Sequence, residues 1–295
     1  MRLSGFLLIL AAAAYAGDGR FNGRWDITAP GAHAAWVEIS GAETDKPAGK
    51  FVSAFHGDLN VIEQISVRDG ELKFGWPSRN IEWQARLVDG KLEGTLPRKW
   101  TGVPAPVIRD KDDGTWRPGK PVVSLFDGKS LKGWKTVRGG ALSGWTVKDG
   151  ALSGDGKAND IISDRKFWNF ALHVEFKMEP HSNSGIGLRG RYEVQLLEDY
   201  GNPPNAHSNG SLYSRIAPAV NASKPAGEWQ TYDIRLVGRD LTVTLNGQKL
   251  IDKREIEGLT AIAVDANEAE PGPIYLQGDH GPVQFRNIVV TPLVK

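Results

Sequence analysis

Arg189, Glu193 and Gln195 stand at spacings that an antiparallel hairpin would gather onto one surface. The stretch from Asn183 to Leu196 reads as two alternating strands joined by a tight turn at Gly190-Arg191. Residues two apart on a strand share a face. With Ile186 and Leu188 directed to a core, Gly185, Gly187 and Arg189 fall on the opposite side. On the returning strand Tyr192, Val194 and Leu196 face inward, while Glu193 and Gln195 face outward. The expected result is a floor bearing a guanidinium, a carboxylate and an amide beside a trough floored by two glycines. Such a floor has the shape of a ligand site. Glycine inside a strand weakens it and often marks the close approach of a ligand. The bland alternative is a solvated sheet face with an exposed ion pair, which contributes little.

His280 lies in Gly278-Asp279-His280-Gly281, directly after an apolar run from Ile274 to Leu276. From its place in a turn after a strand it reads as a solvated loop histidine. His173 alternates with Glu175 and Lys177 on a polar strand face and reads as structural, and His33 and His56 receive no role. His181, His207, His280 and Asp199 lack the spacing of a recognised zinc motif. Asp265, Asn267, Glu268 and Glu270 read as an acidic solvated loop in preference to a calcium site. No metal and no cofactor are expected. Trp134, Trp145, Trp168 and Trp229 could stack on sugar rings, but most are expected in the core. The Gly-, Pro- and Asn-rich loop from Asp199 to Ser211 follows the floor and is expected to rim it.

The elements needed to hold such a floor are strands. Asp69-Gly70, Asp89-Gly90, Asp127-Gly128, Asp149-Gly150 and Asn246-Gly247 suit hairpin turns that require positive φ. Leu172–Met178, Tyr232–Leu236 and Leu241–Leu245 alternate apolar with polar residues, and long helical patterns are almost absent. The chain therefore reads as all-β. A Pro- and charge-rich seam near residues 103–121 divides it into two parts. About six short strands in residues 20–102 suit a small β-barrel or β-sandwich, an accessory domain over 17–115. Residues 116–295 suit two stacked antiparallel sheets.

Bulk composition narrows the class further. With 36 Lys and Arg against 35 Asp and Glu, and no basic block, a nucleic-acid partner is not expected. The absence of cysteine excludes disulfides, thiol catalysis and a lipidated cysteine. Residues 1–16 pair a short apolar run with Ala14-Tyr15-Ala16, the pattern of a signal peptide and too short to span a bilayer. The expectation is export to the periplasm or the cell exterior.

Ser124-Leu125-Phe126-Asp127-Gly128-Lys129-Ser130-Leu131-Lys132-Gly133-Trp134 resembles the opening of the 3-keto-disaccharide hydrolase family. Trp145–Leu152, Asn183–Ile186, Tyr192–Gln195, Asn221–Pro225 and Gly227–Tyr232 continue the likeness in family order. Leu245-Asn246-Gly247, Leu276–Gly281 and Val283–Ile288 complete it, so that it spans about residues 122–292. The resemblance implies a concanavalin-like jelly-roll sandwich acting on 3-keto-glycosides. A ketone at sugar C3 acidifies the C2 hydrogen, and loss of that proton lets C1 expel its oxygen. In this scheme Glu193 is the base, Arg189 the oxyanion partner and His280 an acid or second base. Gln195, Asp199, Tyr213, Lys224 and Gln277 would orient sugar hydroxyls over Gly185 and Gly187. Two rivals stand beside it: a non-catalytic carbohydrate-binding module, and a laminarinase-like glycosidase. The second fits poorly, because Glu193-Val194-Gln195-Leu196-Leu197-Glu198 has Gln195 where that class carries a carboxylate. Glu193 and Glu198 also fall on opposite faces of an unbulged strand, whereas retaining chemistry needs carboxyls about 5 Å apart.

Overall fold

A computed structural model describes residues 17–295. The expected signal peptide, residues 1–16, lies outside the described residues. The described chain is built from antiparallel strands with two short 3₁₀ turns, which agrees with the all-β expectation.

Residues 23–104 form a nine-stranded antiparallel meander rather than the expected six strands. Gly23–Thr28 lies in its middle, paired on one side with Ala35–Ser40 and on the other with Trp100–Pro104. The two edge strands, Asn60–Val61 and Gln64–Arg68, are neighbours in sequence. Backbone bonds from Ile62 N to the Gly49 carbonyl (3.0 Å) and Glu63 N to the Gly75 carbonyl (3.2 Å) tie these edges together. The sheet thereby curls into a barrel filled by Trp25, Phe51, Phe74, Trp76 and Trp100. The extra strands arise where periodicity is short: Asn60–Val61 holds only two residues, too few for alternation to register.

Hairpin turns form at four of the five expected positions, with both central residues at positive φ in Asp69-Gly70, Asp89-Gly90, Asp149-Gly150 and Asn246-Gly247. Asp127-Gly128 differs. The Asp127 carboxylate accepts from the Lys129 and Ser130 amides at 2.8 and 2.7 Å, forming a loop in place of a hairpin.

Residues 117–294 supply two further sheets packed face to face. One is five-stranded, in the order Trp134–Thr136, Ile161–Phe167, Gly272–Leu276, Asn183–Leu188, Tyr192–Leu197. The other centres on Pro282–Val294 and Phe170–Met178, whose burial alternates along all nine residues of the latter. Ile186, Leu188, Tyr192, Val194 and Leu196 meet Leu172, Val174, Phe176, Tyr232 and Phe285 in the core between them. This is the expected two-layer sandwich.

Barrel and sandwich are joined by a third apolar cluster of Trp36, Val52 and Ala54 against Leu259, Ala263 and Ala266. Beside it Glu268, fully buried, pairs with Arg24 and with Arg239 (3.1 Å) and accepts from the Tyr192 hydroxyl at 2.8 Å. The expected solvated acidic loop is thus partly an internal one. Glu268 is held because burial without cationic partners would be prohibitive. Asp265 pairs with Arg191 at 2.6 Å.

Candidate active site

The hairpin forms with Gly185 opposite Gln195 and Gly187 opposite Glu193, one residue off the register that a two-residue turn at Gly190-Arg191 would set. Its two faces are as expected, one in the sandwich core and one open to a cleft of about 1000 Å³ between barrel and sandwich. Glu193, Gln195, Gln277, Tyr213 and His280 all line this cleft. Tyr213 arrives because residues 210–213 add to the outer edge of the hairpin: Gly210 N donates to the Gln195 carbonyl (2.9 Å) and Tyr213 N to the Glu193 carbonyl (3.0 Å).

Glu193 is the centre of the site. Its backbone amide donates to Thr260 Oγ1 at 2.8 Å, while its carboxyl is buried and its Oε2 has no hydrogen-bond partner. Burial, reinforced by the negative charge of Asp160, pushes its pKa up to about 8. The glycine opposite has a specific reason. A Cβ at Gly185 would stand 2.4 Å from Glu193 Oε1, so the carboxyl rests where a side chain would be. Gly187 makes room for Tyr275, whose Cβ would be 2.7 Å away. The trough is therefore not the open sugar bed that was expected but a seat for two of the protein's own side chains.

Gln195 donates to Asn183 Oδ1 at 3.1 Å and leaves its own Oε1 buried without a partner. Gln277 is buried, with its backbone amide donating to the Gly185 carbonyl at 3.0 Å. His280 is half exposed and contacts Asp279 through Nδ1.

Three expected residues are elsewhere. Arg189 is not on the floor. Leu188 pairs with Tyr192, leaving Arg189-Gly190-Arg191 as the turn, and Arg189 adopts a φ of 53° there. The strand alternation ends one residue too early for it. Its guanidinium is buried over the Trp168 ring, 3.9 Å from the ring centre, and donates to the Trp168 carbonyl (2.7 Å) and Asn169 Oδ1 (3.2 Å). Asp199 is also structural: it accepts from Asn209 N (2.9 Å) and Ser223 Oγ (2.7 Å), folding the loop after the hairpin back on itself. That loop, through Ser211, does not line the cleft. Lys224 donates to the Trp229 carbonyl at 3.0 Å, away from the cleft. Glu198, the laminarinase-like partner, accepts from His181 N instead of facing Glu193. Trp134 and Trp145 are buried in the core, and Arg286 covers Trp229 at 3.9 Å.

Sequence reasoning missed Asp160 and Tyr275. Asp160 accepts from the Tyr275 hydroxyl at 2.5 Å and from Gly278 N at 2.9 Å. Burial raises its pKa despite these bonds. Asp160 falls in an irregular stretch before Ile161–Phe167, where no periodicity signals its direction. Tyr275 belongs to Gly272–Leu276, buried at all five positions, so alternation could not separate the cleft face from the core. Also missed were Arg138 and Lys157, cleft-lining cations on loops, and His33, Phe55 and His56 from the barrel. Among the described residues, no group of three or more His, Asp or Glu is placed to hold a metal ion.

A two-sheet sandwich with a polar cleft on one sheet is a glycosyl-hydrolase-like fold. It matches the crystal structure of a Parabacteroides distasonis protein assigned as a glycosyl hydrolase with a TM-score of 0.52 and 31% identity, covering 64% of this chain and 92% of that one. A second Parabacteroides distasonis structure, at 23% identity, has a TM-score of 0.51 and shares the fold over 59% of this chain and 94% of its own. The chain belongs to the family described as the 3-keto-alpha-glucoside-1,2-lyase-like domain, matched over residues 121–291. A Bacteroides thetaiotaomicron protein named 3-keto-disaccharide hydrolase is 29% identical over 36% of this chain and 49% of its own length. The chain spans about half the length of that curated relative.

Proposed function

We propose that the protein is a carbohydrate-active hydrolase that cleaves 3-keto-glycosides by elimination and rehydration, with Glu193 as the base. The observation that carries this reading is a buried, unpartnered carboxyl facing a polar cleft, with its pKa raised to about 8. A carboxylate so destabilised is a stronger base than one in water. Abstracting a hydrogen next to a ketone calls for that strength.

In the proposed reaction the Glu193 carboxylate takes the C2 proton, and the C–H electrons form the enolate with the C3 oxygen. Collapse of the enolate restores the ketone, forms the C1–C2 double bond and breaks the bond from C1 to the leaving oxygen, which takes up a proton. Water then adds across C1–C2, giving the free 3-keto sugar. His280, half exposed on its loop beside Asp279, supplies the proton to the leaving oxygen. Gln195 and Gln277 hold sugar oxygens through their amides. Arg189 has no part, so charge on the C3 oxygen is met by cleft groups, with Lys157 the cation nearest in the chain to Asp160.

One observation favours a second reading. Glu193 and Asp160 are two carboxyls in one cleft, and the charge on Asp160 raises the pKa of Glu193. Such a pair also suits an ordinary glycosidase. Against it, both bonds to Asp160 fix its carboxylate on Tyr275 and Gly278. The assay is direct. Purified protein is given a 3-keto-glucoside and its unoxidised parent, and aglycone release is followed with wild type, Glu193→Gln and His280→Ala. Release from the keto sugar alone, lost in Glu193→Gln, is the expected result. Cleavage of the parent sugar would transfer the assignment to the glycosidase. Binding of both without turnover would leave a carbohydrate-binding module.

A further inference from the structure

One wall of the cleft comes from outside the family-matched region. His33, Ala34, Ala54, Phe55 and His56 belong to the barrel and line the same cavity as Glu193. The segment carrying Phe55 is strapped down on both sides. Ile262 N donates to the Ala54 carbonyl at 3.2 Å, and Ala54 N to the Ala34 carbonyl at 2.8 Å. Just beyond, Arg215 Nη1 donates to the Gly57 carbonyl and Ser214 Oγ to Asp58 Oδ1, each at 2.9 Å. Gly57 packs so closely on Ala261 that an added Cβ would lie 2.6 Å from the Ala261 methyl. The barrel loop is thus fixed to the residues that follow Tyr213, which itself lines the cleft.

On this fixed strap sits a phenyl ring that is 63% exposed. Its neighbours are the imidazoles of His33, 5.0 Å away between ring centres, and His56, 4.4 Å away. Burial, Arg138 and His56 together hold the His33 imidazole below its usual pKa, so it is neutral at pH 7. A rigid, solvent-facing aromatic ring flanked by two hydrogen-bonding imidazoles is the equipment of a sugar-stacking platform. Of the sandwich tryptophans, Trp134 and Trp145 are buried, and Trp168 and Trp229 are covered by Arg189 and Arg286.

We propose that the barrel supplies a second sugar subsite, in which Phe55 stacks on the leaving-group ring and His33 and His56 bond its hydroxyls. This deepens the reading of the cleft as a sugar site and rests on it. The barrel then selects glycosides whose leaving group is itself a pyranose ring over those with a small aglycone.

The test compares a 3-keto-disaccharide with the methyl 3-keto-glucoside in wild type, Phe55→Ala and Phe55→Trp. The ratio of their kcat/KM values should fall about five- to ten-fold in Phe55→Ala and return with Phe55→Trp. A ratio within two-fold of wild type in Phe55→Ala would overturn the subsite. A second arm measures calorimetric binding of the unoxidised disaccharide and its monosaccharide to each protein. Phe55→Ala should weaken the disaccharide selectively, and equal weakening of both, or of neither, would also overturn it. Were wild type to turn over neither keto sugar, the proposed chemistry would fail, while the binding arm would still decide the subsite. Phe55 is largely solvent-facing, so its replacement leaves the fold intact, and an unchanged melting temperature verifies this.

Discussion

Replacing Glu193 by Gln removes a charge and keeps the shape. In wild type the carboxyl titrates near 8 when folded and near 4.5 when exposed to water. Its folded pKa is therefore raised, and the sign follows: below pH 4.5 both states hold the proton, and the difference from Gln vanishes. Between 4.5 and 8 the unfolded chain has released its proton while the folded one has kept it, so wild type loses stability steadily. Above 8 the loss levels off. The full 3.5-unit gap corresponds to at most about 5 kcal/mol, at roughly 1.4 kcal/mol per unit. Water entering the cleft would reduce this to about 2–3 kcal/mol. Melting curves of the two proteins should coincide at pH 4.5 and diverge by about 5–10 °C at pH 8.5, with Glu193→Gln the more stable. Under the proposed mechanism kcat/KM on the keto substrate should follow the same titration, rising with pH and flattening above about 8. A melting difference that does not change with pH would refute the raised pKa. An activity that falls through pH 8 would refute the basic role and make Glu193 an acid.

Gly185→Ala should force the Glu193 carboxyl out of its seat, lowering kcat at least about 100-fold while melting drops only slightly, as read by steady-state kinetics and calorimetry. Glu268→Ala would leave Arg24 and Arg239 without their carboxylate between barrel and sandwich, at a cost of about 3–5 kcal/mol in chemical denaturation. Asp26, buried and with neither oxygen hydrogen-bonded, has a pKa raised to about 7 by burial and then by Glu268. Its contribution is lost as pH rises from about 4 through 7, so Asp26→Asn should match wild type at pH 4 and exceed it at pH 8 in denaturation midpoint. Arg189→Ala should cost stability through its lost bonds to Trp168 and Asn169 while leaving the pH profile of kcat unchanged, a split that separates a turn anchor from an oxyanion partner.

Strand alternation carried much of the fold and the central part of the site. The pattern in Phe170–Met178 and in Tyr192–Leu197 correctly separates core from cleft, and with it the placement of Glu193 and Gln195. Alternation holds only while φ and ψ stay extended, which is why Arg189 was misplaced. One residue beyond the last ladder pair, its left-handed backbone swings the guanidinium to Trp168. Asp199 and Lys224 sit in irregular segments where residue type points to chemistry but no period gives direction. Asp160 likewise stands in an irregular stretch just before a strand, whereas Tyr275 was illegible for the opposite reason, since its strand is buried at all five positions. The barrel wall could not be foreseen, because the contact between Ala54 and Ile262 depends on how barrel and sandwich meet.

Residues 105–116 lead from barrel to sandwich, and from Asp110 onward they pack as part of the latter. Asp110 accepts from Trp168 Nε1 and Asn169 Nδ2, both at 2.8 Å, and Asp112 accepts from Arg235 Nε at 2.7 Å. Trp168 and Asn169 are also the residues that immobilise Arg189. A gene fragment trimmed to begin at residue 121, where the family likeness starts, would strip the hairpin turn beneath Glu193 of its outer brace. Anyone wishing to express the family-matched half alone should cut upstream of Asp110, and should expect the shorter version to be the one that precipitates.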